Sequence, residues 1–89
     1  METYKFLIEG KVQRVGFRAF VSRYAKKNQI KGYVKNLNDG RVEVVANLDD
    51  RLFNALLNTL RDGSNYSNVE SVHFEKINYK SFNKFEIKK

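Results

Sequence analysis

The fold is decided within residues 4–25, which read YKFLIEGKVQRVGFRAFVSRYA. Apolar side chains first recur at every second position, which is typical of a strand with one buried face: Tyr4, Phe6 and Ile8. Gly10 and Gly16 interrupt this pattern, and the spacing after them is that of an amphipathic helix ending near Asn28. Its apolar stripe comprises Phe17, Phe20, Val21, Tyr24 and Ala25, and its polar face comprises Arg18, Ser22, Arg23, Lys26 and Lys27. The stretch therefore predicts a strand–loop–helix unit.

The next segments predict a hairpin followed by a second helix. Residues 32–36 and the alternation at Val42, Val44 and Ala46 indicate two strands, with a turn at Asp39-Gly40 where glycine tolerates positive φ. Asp49 or Asp50 is expected to cap the helix and Gly63 to end it. The buried stripe of that helix is Phe53, Leu56, Leu57 and Leu60.

Residues 69–79 are strand-like, but the apolar positions change parity between Phe74 and Ile77, which predicts a β-bulge there. Phe85 and Ile87 indicate a short final strand. The order β-α-β-β-α-β with a short extra strand predicts an α+β, ferredoxin-like two-layer sandwich, with an antiparallel sheet and both helices on one face. Without repeats or linkers, residues 1–89 are expected to form a single domain.

Composition excludes several kinds of chemistry. The chain has no cysteine, and its one histidine, His73, is interpreted as structural, so thiolate nucleophiles, disulfides and multi-histidine metal sites are excluded. Residues 1–20 resemble no secretory leader and no apolar run is long enough to span a membrane, so we expect a cytoplasmic protein without a membrane partner. The net charge of +7 is compatible with nucleic acid, an acidic membrane surface or small phosphorylated molecules.

Basic residues concentrate in the loop between the first strand and the first helix. Lys11, Arg14 and Arg18 lie at the expected positive end of that helix, where a cation costs about 0.3–1 kcal/mol, and no acid occurs between Glu9 and Asp39. Loop glycines also let backbone N–H groups converge on an anion. A bound dianion would offset the charge, although the spacing alone leaves a solvated basic face as the alternative.

Several segments together resemble the acylphosphatase family. Residues 10–18, GKVQRVGFR, are similar to its signature Gly-x-Val-Gln-Gly-Val-Gly-Phe-Arg, and residues 32–36, GYVKN, match its second motif Gly-x-Val-x-Asn. DGRVEV at residues 39–44 and FEI at residues 85–87 resemble the family's following turn and its ending. The resemblance implies the ferredoxin-like fold and hydrolysis of acyl phosphates to a carboxylate and inorganic phosphate. It implies neither a cofactor nor a metal.

The resemblance also implies roles for individual residues. Arg18 would bind the phosphate together with the loop backbone, and Asn36 would position the attacking water. The loop backbone is that of Gln13, Arg14, Val15, Gly16 and Phe17. Two departures are Arg14, where the family has glycine, and residues 63–68, which lack a proline common in the corresponding loop. For Arg14 we expect an ordinary negative φ, because Gly16 can serve the tightest part of the loop.

Other interpretations remain open from sequence. Arg18 could be an ordinary exposed residue of the first helical turn, and Asn36 a turn former. The aromatic residues Tyr4, Phe6 and Tyr33 could belong to a single-strand nucleic-acid module, although we find no RNP-like motif and expect no such partner. A third alternative is a non-catalytic relative of the acylphosphatase-like domain of larger carbamoyl-transfer proteins. The presence of Asn36 argues against a loss of catalysis. We expect a monomer.

Overall fold

The computed structural model describes residues 1–89 as a five-stranded sheet with two helices packed on it. In chain order the elements are β1 (Glu2–Lys11), α1 (Phe17–Lys27), β2 (Lys31–Asn36), β3 (Val42–Leu48), α2 (Asp50–Asp62), β4 (Asn68–Ile77) and β5 (Phe85–Lys88). The strands lie in the order β4-β1-β3-β2-β5. This confirms the predicted α+β, ferredoxin-like architecture.

The fifth strand departs from the expected antiparallel sheet. The pairs β1–β3, β1–β4 and β2–β3 are antiparallel, but β5 runs parallel to β2, with Gly32 opposite Phe85. Because β4 and β5 occupy opposite edges, residues 78–84 must cross the sheet to connect them, and they do so over the face opposite the helices. Side-chain periodicity predicts which residues form a strand but carries no information on its direction.

The crossing segment also explains the change of parity near the end of β4. Ile77 pairs with Thr3, a buried residue on the sheet face opposite the helices, and the Thr3 hydroxyl oxygen accepts a bond of 3.0 Å from the Lys80 amide. Ile77 thus lies on the face that the crossing segment covers, and the predicted bulge between Phe74 and Ile77 is wrong. A bulge does occur in β4, where Glu70 has no partner between Val69 opposite Gly10 and Ser71 opposite Glu9.

The hydrophobic core lies between the sheet and the helices. Its largest fully buried side chains include Phe6, Phe17, Ile8, Leu48, Leu56 and Leu60. Ser22, expected on the polar face of α1, is buried, because α1 packs on β5 as well as on β2. Phe20 and Tyr24, by contrast, pack at the edge of the core and stay partly exposed.

The helix and hairpin boundaries follow from local hydrogen bonds. Asp49, rather than Asp50, caps α2 by accepting a 2.8 Å bond from the Leu52 amide, and Gly63 ends it at φ 73°. In the β2–β3 turn, Arg41 donates to the Asp39 carboxylate through its amide (3.1 Å) and its Nε (2.9 Å). Those bonds hold the pKa of Asp39 below its usual value. These bonds stabilise the turn that follows β2.

Gly32→Ala tests the close approach of β2 to β3. A Cβ at Gly32, where φ is 153°, would overlap the carbonyl oxygen of Val45, whereas one at Gly40, where φ is 97°, would meet nothing within 4 Å. We expect Gly32→Ala to lower the free energy of unfolding by about 3 kcal/mol and Gly40→Ala by about 1 kcal/mol, measured by urea denaturation. Equal losses would show that backbone conformation, and not the overlap, sets the requirement for glycine at position 32.

Candidate active site

The loop between β1 and α1 presents a run of free backbone donors. None of the N–H groups from Gln13 to Ala19 is paired with a backbone carbonyl; the first bond of the helix runs from the Phe20 amide to the Gly16 carbonyl, 3.0 Å. No side chain caps α1 and its first turn has no acid. The loop and the positive end of the helix together therefore form a site suited to an anion.

Backbone conformation alternates along this loop, and the expectation for Arg14 is wrong. Arg14 has φ 63° and Gly16 has φ 77°, while Val15 between them does not have positive φ. When left-handed and right-handed backbone conformations alternate, successive N–H groups point toward the same point in space. This explains why the loop needs two left-handed residues and not Gly16 alone. A non-glycine residue in this region costs about 1–2 kcal/mol. The Arg14 side chain is exposed and lies at the rim of the pocket.

Gln13 connects the loop to the β2–β3 hairpin. Its Nε2 donates to the carbonyl of Leu37 (2.8 Å) and to that of Arg41 (2.9 Å), one on each side of the hairpin turn. Sequence reasoning gave Gln13 only a backbone role. The residues around Gln13 in the sequence give no indication of a partner more than twenty positions away. This contact could therefore be identified only from the structure.

Asn36 is the last residue of β2, next to Leu37, and its side chain faces the loop across a small pocket. Its Oδ1 is buried and accepts no hydrogen bond. A buried acceptor without a donor is uncommon and costs free energy, so Asn36 is held in place by the fold around it and not by a partner of its own.

Arg18, in the first turn of α1, is anchored by the last strand. Its Nη1 donates to the Lys88 carbonyl at 2.9 Å, which leaves the other guanidinium N–H groups free. The Lys88 side chain in turn lies over the Tyr33 ring, with Nζ 4.3 Å from the ring centre. Burial, together with a 2.8 Å hydrogen bond donated to Glu43, raises the pKa of Tyr33 to about 12, so its hydroxyl stays a donor. This support from β5 was not expected from the sequence.

These groups enclose a pocket of about 200 Å³ at the N-terminus of α1. It is lined by Val12, Arg14, Gly16, Phe17, Arg18, Ala19, Asn36 and Ile87, and no acidic side chain is among them. Of the predicted site residues, Gln13 and Val15 do not line it. A larger groove of about 610 Å³ runs along β5, but it has no comparable run of free amides, so we assign the chemistry to the smaller pocket.

Two further observations bear on the kind of site. No three His, Cys, Asp or Glu side chains lie together in a way that could hold a metal ion. Neither helix has the length and apolar character needed to cross a bilayer. The donors that the pocket does offer are the Arg18 guanidinium and neutral backbone N–H groups, a set suited to a phosphate group.

Comparison with known proteins identifies a consistent set of relatives. The acylphosphatase family model matches residues 4–87. An acylphosphatase of Borrelia garinii subsp. bavariensis is 44% identical, with 98% of each chain covered. The crystal structure of acylphosphatase from Bacillus subtilis superposes on this chain with a TM-score of 0.95 at 32% identity, and the match covers both chains completely. Full-length HypF contains a region that superposes on this chain with a TM-score of 0.81 at 25% identity. The match covers 99% of this chain and 12% of HypF.

Arg14→Gly tests the backbone strain in the loop. Glycine would relieve about 1–2 kcal/mol of left-handed strain while adding about 0.5–1 kcal/mol of unfolded-state entropy. We therefore expect the free energy of unfolding to rise by up to about 1.5 kcal/mol, measured by urea denaturation. Gln29→Gly is the matched control, because Gln29 has φ 58° and lies after α1, away from the pocket. Destabilisation by Arg14→Gly beside stabilisation by Gln29→Gly would contradict this interpretation.

Proposed function

Since this chain belongs to the acylphosphatase family of acid-anhydride hydrolases, we propose that residues 1–89 form one catalytic domain whose β1–α1 loop, Arg18 and Asn36 hydrolyse acyl phosphates. Water attacks phosphorus, the bond between phosphorus and the acyl oxygen breaks, and a carboxylate and inorganic phosphate leave. The observation that supports this assignment is the meeting of free loop amides, Arg18 and Asn36 in one pocket without an acid.

The phosphoryl group is bound by the loop and by Arg18. The amides of the loop and first helical turn have no competing backbone acceptors, so those of the pocket-lining residues, Arg14 and Gly16 to Ala19, are available to the phosphoryl oxygens. Arg18 keeps free N–H donors because only its Nη1 is engaged by Lys88, and its planar fork suits two oxygens of one phosphate. Donors fixed before the substrate arrives stabilise charge on those oxygens without reorganisation in the transition state.

Asn36 orients the attacking water. Its side chain lines the phosphate pocket and its carboxamide has no hydrogen-bond partner in the protein, so it is free to bond a water beside the phosphorus. Phosphoryl transfer has a loose transition state, so alignment of the nucleophile, rather than strong base catalysis, is the main requirement. The water proton passes to a phosphate oxygen, since no carboxylate or imidazole lines the pocket to receive it.

The nucleic-acid alternative finds little support in the placement of its aromatic residues. Tyr4 and Phe6 face α2, with Tyr4 4.5 Å and Phe6 5.7 Å from Phe53, measured between ring centres. Tyr33 is on the other sheet face, but Lys88 lies over its ring and Phe82 packs against it at 6.1 Å. These rings therefore form no continuous platform on which bases could stack.

Arg18→Ala and Arg18→Lys test phosphate binding by the guanidinium. We expect Arg18→Ala to lower kcat/KM for benzoyl phosphate by about 100-fold to 1000-fold and to abolish competitive inhibition by inorganic phosphate. Lysine is expected to rescue neither, because a point charge lacks the planar fork. Arg51→Lys, an exposed position on α2, is the control. Near-normal turnover by Arg18→Lys would contradict the bidentate role.

Asn36→Ala tests water positioning separately. Loss of the carboxamide is expected to lower kcat by about 100-fold, while the inhibition constant of inorganic phosphate changes less than about twofold. Asn38→Ala, in the exposed part of the same hairpin, is expected to leave both values unchanged. Weaker phosphate binding by a folded Asn36→Ala protein would instead make Asn36 part of the phosphate site.

A further inference from the structure

A second cleft adjoins the proposed phosphate pocket. It has a volume of about 400 Å³ and lies between the first turns of α1 and the loop joining α2 to β4. Gly16 and Ala19 line both cavities, so a molecule with its phosphate at the β1–α1 loop can continue into the cleft over the N-terminus of the helix.

The cleft lies on the side of the phosphate pocket away from Asn36 and β5. Asn36 and Ile87 line the phosphate pocket, but no residue of β2, β3 or β5 lines the cleft. In an in-line displacement the attacking and leaving oxygens lie on opposite sides of phosphorus. If Asn36 holds the water, the acyl group departs away from β2, toward the loop between α2 and β4.

The lining of the cleft combines apolar surface with one cation. Val15 and Phe20 are half-buried, and the Tyr66 ring is 79% exposed. Arg23 is the one charged side chain of the lining, and it is in none of the hydrogen bonds, ion pairs or cation–π contacts of the structure. It follows Ala19 by four residues, about 6 Å along the helix axis.

From these placements we propose that the cleft is the acyl subsite and that Arg23 favours acyl phosphates with a second anionic group at the far end of the acyl chain. The proposal rests on the proposed function, because it needs the phosphate at the β1–α1 loop. Val15, Phe20 and Tyr66 contact the carbon skeleton, and the Arg23 guanidinium meets the distal carboxylate. A short acyl group such as acetyl would not reach Arg23 and would gain nothing from it.

The test compares three substrates: acetyl phosphate, benzoyl phosphate and 4-carboxybenzoyl phosphate. The last two share an aromatic skeleton and differ by one carboxylate on the side of the ring away from the acyl phosphate. Arg23→Gln is expected to lower kcat/KM for 4-carboxybenzoyl phosphate about threefold to fivefold, as for an exposed charge pair, and to leave benzoyl phosphate unchanged. Lys27→Gln removes an equal charge from an exposed position of α1 outside the cleft and is the control.

Tyr66→Ser tests the apolar part of the subsite. It is expected to lower kcat/KM for benzoyl phosphate and to leave kcat/KM for acetyl phosphate unchanged.

An equal change in kcat/KM for benzoyl and 4-carboxybenzoyl phosphate in Arg23→Gln, or the same selective loss in Lys27→Gln, would overturn the role of Arg23. An unchanged kcat/KM for benzoyl phosphate in Tyr66→Ser would overturn the location of the subsite. Failure of the proposed function would look different, because the unmodified protein would then hydrolyse none of the three substrates.

Discussion

The side-chain amide of Gln13 holds the two halves of the proposed site together. Its Nε2 spans the hairpin turn, bonding to the carbonyls of Leu37 and Arg41 at 2.8 and 2.9 Å. The loop that we propose binds phosphate and the strand end that we propose positions water come from separate parts of the chain, and no other side-chain hydrogen bond of the loop reaches the hairpin. The pairing of β1 and β2 with β3 positions the strands, and this pair of bonds adds a direct connection from the loop to the end of β2. Its geometry matters because displacement by about 1 Å can cost roughly 100-fold in rate.

The loop is an unfavourable structure that the rest of the fold imposes. Two residues have left-handed conformation, a run of amides has no backbone acceptor, and cations lie at the positive end of α1. The sheet holds the loop at its start, where Gly10 approaches the Asn68 backbone too closely for any Cβ. Departures from local preference that concentrate in one loop are typical of a functional site, where a bound anion offsets their cost.

Sequence predicted the architecture because alternation and helical spacing are strong in β1, α1 and α2, and because caps such as Asp49 act locally. The resemblance of two motifs to one family was enough to select Arg18 and Asn36 as candidates. The rest depended on contacts between distant residues. The φ of Arg14 is set by convergence of the loop amides, the direction of β5 by the crossing of residues 78–84, and the side-chain role of Gln13 by the hairpin. None of these leaves a periodic or compositional signal.

The bond from Arg18 to the Lys88 carbonyl joins residues 70 positions apart, and it has a consequence for biosynthesis. A chain grows from its N-terminus at about 5–20 residues per second, so the loop and α1 leave the ribosome several seconds before β5 does. Until β5 emerges, the edge of β2 is unpaired and available to another nascent chain. During that interval the Arg18 guanidinium lacks its backbone anchor. In the same late step, therefore, the enzyme acquires its anchored arginine and β5 covers the edge of β2.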